Sequence, residues 1–155
     1  MYNEQVLGLA EAQAALRAIF DRVSEDPSLP TVSAAVVDSH GDLIACMRMD
    51  GAHARETDMA IKMAYTAARM RRDTTYWKEF LQKSGWVATD FGTDVTPVHG
   101  GVCITKPGVE RKRTSGKIGP VILGAIGVGG RGGGNEALAF VGLKALQKAC
   151  WGESD

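Results

Sequence analysis

Cysteine is scarce here and its placement is uninformative: Cys46, Cys103 and Cys150 form an odd set with no C-x-x-C pair. That excludes a disulfide framework and a zinc knuckle, and reduced thiols in a cytoplasmic setting are the expectation. Aromatic residues make up only 6%, and 18 acidic residues balance 18 basic ones, so the electrostatic footprint of a nucleic-acid binder is missing. Basic groups do cluster at 69–72 and 106–117, where they read as solvated helix-end and loop charge. No uncharged stretch reaches the roughly 18 residues a membrane helix requires, and the first residues lack a basic head followed by an apolar run. Neither a membrane partner nor a secretion leader is expected.

Glycine is what the chain has in quantity, 19 residues, concentrated late. Val121–Val128 is β-branched and uncharged like a strand buried on both faces, and Ala137–Leu146 has helical spacing. Between them, glycines 127, 129, 130, 132, 133 and 134 admit positive φ or close approach of another backbone. With Arg131 beside unpaired helix N–H groups, such a loop is suited to an anion. Gly127-x-Gly129-x-x-Gly132 also spells a dinucleotide fingerprint, but the further strand and ribose-binding acid of that unit do not follow. Close strand–helix packing is the better reading.

At 155 residues the chain is expected to form one domain, 1–155, with a core that needs no metal or disulfide. Leu9, Ala12, Leu16, Ile19 and Val23 share a helical face, with Gly8 as N-cap and Glu11 in the first turn. Pro27 and Pro30 end that helix. Strands at 31–37 and 43–49 flank a tight turn at Asp38–Asp42. Helices follow over 55–70 and from a Thr74 cap to Ser84, then an irregular stretch at 86–98, a short strand at 100–106 and an exposed connection at 107–119. The order α-β-β-α-α-β-β-α, with strands in hairpin pairs, gives an α+β class: an antiparallel sheet flanked by helices.

In this order, Val32-Ser-Ala-Ala-Val-Val-Asp38, Gly41 with Met49-Asp-Gly-Ala52, Ala60-Ile-Lys-Met-Ala-Tyr-Thr-Ala-Ala68, Gly100-Gly-Val102 and Gly124-Ala-Ile-Gly-Val-Gly-Gly130 with Glu136-Ala137 resemble the GlcG/HbpS family of haem-binding-type proteins. The same domain forms the C-terminal part of PduO-type corrinoid adenosyltransferases. The resemblance implies a profilin-like fold and a homo-oligomer, often an octamer. It implies a haem or corrinoid ligand in some members and an accessory place in glycolate or aromatic catabolism in others. The chain departs from the pattern at His99, at Cys103 and in the long connection from Thr105 to Gly119.

Candidate ligand-binding residues are Lys62, Tyr65, His99, Gly100, Gly101 and Arg131. A partly buried ammonium at Lys62 needs an anionic partner, either a ligand carboxylate or haem propionate or a structural pair with Glu136 or Asp58. His99, ahead of the twin glycines, can ligate haem iron or a divalent metal, or act as an acid/base. A small anionic or aromatic ligand, with haem as the named cofactor, is the first reading; no metal is assigned. The second is an enzyme on a small carboxylate or ring-fission metabolite, with His99 as acid/base and Lys62 or Arg131 holding the carboxylate.

Overall fold

The structure, a computed structural model, describes residues 1–152, so the last three residues of the expected 1–155 domain lie outside the described residues. Four helices, α1 (Leu9–Glu25), α2 (Ala54–Met70), α3 (Thr74–Ser84) and α4 (Asn135–Trp151), surround four strands, β1 (Val32–Asp38), β2 (Leu43–Arg48), β3 (Gly101–Lys112) and β4 (Ile118–Gly130). The class and element order are those expected, α+β with α-β-β-α-α-β-β-α. The sheet runs β2-β1-β4-β3, antiparallel throughout.

Two strand faces have different side chains and therefore different helices. Val32, Ala34, Val36, Val102, Ile104, Ile126 and Val128 build the larger core with Leu16 and Ile19 of α1 and Leu143 and Leu146 of α4. The opposite face offers smaller groups, Ala35, Val37, Cys103 and Ala125, against Ala60, Ala64, Ala67 and Ala68 of α2. Small residues on both sides let α2 settle onto the sheet until backbone meets backbone. A Cβ at Gly129 would stand 2.1 Å from the Glu56 carbonyl oxygen, one at Gly127 2.0 Å from that of Ala60, and one at Gly101 2.3 Å from that of Met63. Gly101 and Gly127 are register partners on β3 and β4. Gly127 and Gly129, two of the glycines that imitate a nucleotide fingerprint, thus form with Gly101 a track for one turn after another of α2, the close packing anticipated above.

Local signals work as expected at α1, where the Gly8 N–H donates to Glu11 Oε2 at 2.9 Å. They miss at two places. Asp73, not Thr74, occupies the N-cap of α3. The 107–119 connection is mostly strand: β3 runs on to Lys112, β4 starts at Ile118, and only Arg113–Lys117 makes the turn, closed by an Arg113 N–H to Lys117 O bond of 2.7 Å. These outer rungs carry no buried apolar face, so alternation gave no sign of them. The ladder skips residues 106–109 between the Thr105–Ile122 and Glu110–Pro120 pairs. Pro107 has no N–H to pair and Gly108 has φ +70, so this bulge bends the outer hairpin.

Gly127→Ala places a methyl group against helix backbone that cannot retreat, and a loss of about 3 kcal/mol or more in urea unfolding is expected. Gly133, with nothing within 4 Å, is the control: its alanine variant stays within about 0.5 kcal/mol of wild type.

Candidate functional site

The helix α2 ends at Met70, and the next residue does something uncommon. Arg71 is left-handed at φ 54 and ψ 40, alone among the described non-glycine residues in having positive φ. Glycine usually takes this C-cap position, and an L side chain there costs about 1–2 kcal/mol. The reversal carries Arg71, Arg72 and Asp73 past the end of α2 and lays the start of α3 along the edge of β3.

That edge is closed rung by rung. The Gly101 N–H donates to Thr74 Oγ1 at 3.0 Å, and the Thr74 hydroxyl is 3.3 Å from Gly101 O. The Cys103 N–H donates to Asp73 Oδ1 at 2.8 Å, and Gln147 Nε2 donates to Thr105 O at 3.0 Å. An edge strand that would otherwise present free backbone groups is thereby satisfied by side chains from α3 and α4.

Beyond the end of α2 the sheet face is left uncovered, and a groove of about 470 Å³ opens there. Cys103, Thr105, Pro120 and Ile122 form its floor; Arg71, Arg72, Asp73 and Tyr76 form one wall and Arg113, from the hairpin tip, the other. None of these three guanidinium groups is in an ion pair among the described residues, whose ion pairs are Arg22–Asp26, His40–Glu4 and Arg55–Glu56. Arg72 stacks over Phe80, 5.1 Å from the ring centroid. The Tyr76 side chain is 62% exposed, so its phenol is available. A smaller groove of about 360 Å³ lies between β2 and α2, where Arg48 and Asp58 bring opposite charges.

Two floor and wall groups have shifted acidities. Burial pushes the Asp73 carboxyl above the usual carboxylate range; the Cys103 N–H bond offsets part of this, and the nearby Glu136 charge adds to it. Burial, followed by the Asp73 charge, pushes the Cys103 thiol far up, and Cys103 Sγ donates to Ala67 O at 3.3 Å. A thiol so placed is neither nucleophile nor metal ligand at neutral pH.

The six residues picked from sequence are not gathered at this groove, and none of them lines either groove. Lys62 is half-buried on α2 and makes no ion pair with Glu136 or Asp58 among the described residues; Glu136 instead accepts a hydrogen bond from Thr75. Tyr65 turns toward the β1–β2 turn, where a Cβ at Gly41 would be 2.9 Å from its ring. Thr66, about 100° further around the helix, accepts the Thr96 N–H at 3.0 Å and holds the irregular segment leading to His99 on the other flank. His99 is exposed, and among the described residues its side chain has no hydrogen-bonded partner to orient it. Gly100, at φ +130, and Gly101 are covered by Met63 and Thr74, which fills the space a ligand was expected to use. Arg131 is exposed at the head of the glycine turn. The residues that sequence reasoning passed over are Arg71, Arg72, Asp73, Tyr76 and Arg113. Their signal was available in Arg71-Arg72-Asp73, an arginine standing where a helix stop calls for glycine.

Over residues 7–141 the chain matches the family model described as haem degrading protein HbpS-like. The chain belongs to the HbpS-like family. Among solved structures it is similar to an HbpS double mutant from Streptomyces reticuli, at 26% identity over 94% of this chain and 90% of that one, with a TM-score of 0.77. Protein ORFY from Klebsiella pneumoniae, of family DUF336, has 22% identity, coverage of 94% and 96%, and a TM-score of 0.73. A PduOC:heme complex has 21% identity, coverage of 91% and 95%, and a TM-score of 0.73; at this identity the last two show the fold alone. Comparison with curated protein sequences gives no match. No helix among the described residues is long and apolar enough to cross a membrane, and none of their His, Cys, Asp and Glu side chains form a group that could hold a free metal ion.

The groove's chemistry fits haem in its outer features. Guanidinium groups suit propionate carboxylates, Ile122 and Pro120 suit a porphyrin edge, and the Tyr76 phenol is an oxygen able to ligate iron. Cys103 is buried in the floor with its Sγ donating to Ala67 O, so it is not presented to an iron in the groove. In native protein at about pH 8, iodoacetamide is expected to modify Cys46 and Cys150 well before Cys103, which mass spectrometry should find alkylated only after denaturation.

Proposed function

We propose that this HbpS-like chain is a small-ligand-binding protein whose ligand is haem or a similarly amphiphilic anion, held in the groove beyond α2. The observation that carries this reading is three guanidinium groups, in no ion pair among the described residues, around an apolar-floored recess of about 470 Å³. That volume falls within the range of small-molecule sites. The family's description and a neighbour whose heme complex has been solved support haem as the first ligand to test.

In this reading Arg71, Arg72 and Arg113 would hold the carboxylates, Ile122 and Pro120 would cover part of the ring, and the Tyr76 phenol would offer an oxygen to the iron. Bound haem would supply a redox-active iron; the chain's own residues bind and orient. A cytoplasmic location accords with half-buried and buried thiols in no disulfide. A homo-oligomer accords with Leu43 and Met47, 52% and 54% exposed on edge strand β2. An accessory role in a catabolic pathway follows from the family resemblance.

Titration of hemin into pure protein should give a saturable Soret shift at one haem per chain. Arg72→Gln with Arg113→Gln should weaken it about tenfold or more, two charge-assisted contacts being removed. Tyr76→Phe should move the band if the phenol ligates iron. Binding untouched by the arginine pair but lost in His99→Ala or Lys62→Ala would relocate the ligand to the other flank of α2 and overturn this assignment.

A further inference from the structure

We propose that the groove takes up its anion together with one proton, and that Asp73 is the group that accepts it. This rests on the reading of the groove as the ligand site.

Asp73 is the one carboxylate among the lining residues, and it shares the groove with Arg71, Arg72 and Arg113. It cannot swing aside, because its Oδ1 holds the Cys103 N–H at 2.8 Å and leaving would strip a rung of the β3 edge. An incoming carboxylate or sulfonate bound to Arg71, Arg72 or Arg113 therefore meets a fixed negative charge inside the same small recess. The groups around the recess that holds Asp73 come from every neighbouring element: Arg71 and Arg72 from its own link, Tyr76 from α3, Cys103 and Thr105 from β3, Arg113 from the hairpin, and the nearby Glu136 from α4. The Glu136 charge opposes the ionised form, while cations in the same recess favour it on general electrostatic grounds. A bound anion neutralises the arginines and sides with Glu136, so the balance tips toward the acid. Burial has already moved Asp73 in that direction.

The proton comes from solvent. Once on the outer carboxyl oxygen, it leaves Oδ1 free to keep the Cys103 N–H bond and supplies an O–H donor to the ligand. None of the three histidines lines the groove, so they do not supply this dependence.

The probe is 8-anilinonaphthalene-1-sulfonate, an aromatic anion whose sulfonate stays ionised across the range used. Its affinity, read by fluorescence, should rise about three- to tenfold per unit as pH falls from ~8 to ~5.5, up to the one-proton limit of tenfold. Asp73→Asn retains an acceptor for the Cys103 N–H and should bind tightly at every pH with no slope. Calorimetry in two buffers of different ionisation enthalpy should count a net proton uptake by wild type, independent of any variant. A flat wild-type profile, with affinity still lost in Arg72→Gln/Arg113→Gln, overturns the proton coupling and leaves the groove standing. Affinity indifferent to that arginine pair overturns the groove and this inference together.

Discussion

On its inner side α2 presents mainly alanines, Ala60, Ala64, Ala67 and Ala68, and the sheet beneath answers with Gly101, Gly127 and Gly129. The contact is peptide against peptide, with helix carbonyls where Cβ atoms would be. A larger residue on either side would hold the layers apart, and packing at this density leaves nothing to absorb the change. The positions of β3, β4 and α2 are thereby fixed together, and everything attached to their ends inherits that placement.

The groove is a product of this fit. Because α2 lies so close and stops at Met70, the remaining face of β3 and β4 has no cover, and the chain must reverse sharply to reach the edge of β3. Arg71 takes the left-handed turn, Asp73 and Thr74 satisfy the edge strand, and the two arginines are left facing the recess. The bulge at 106–109 brings Arg113 from the far side. Helix ending, edge capping and groove wall are performed by four consecutive residues, 71–74.

The architecture could be read from the chain because it depends on local signals that periodicity reports: the helical faces of 9–25 and 54–70, the Asp38–Asp42 turn, the mostly apolar β1. Glycine as a packing surface was legible too, once the missing half of the nucleotide unit was noticed. The site was not, for two reasons. Twin glycines at 100 and 101 look the same whether they admit a ligand or a helix, and here Met63 and Thr74 occupy the space. Arg72 and Arg113 are far apart in sequence, and only the bulged hairpin brings them to one recess. Lys62 and Tyr65 matched a family pattern, yet the Tyr65 ring packs at the Gly41 turn and neither residue lines the groove.

Arg71 has a wider bearing. Its unfavourable backbone angle belongs to the turn and not to the side chain, so a glycine would relax the turn while removing a cation. Stability and recognition pull in opposite directions at that residue. The groove walls, drawn from a linker and a hairpin tip, share no residue with the glycine track. Ligand preference can therefore drift, in nature or by design, while the scaffold that presents it stays as it is.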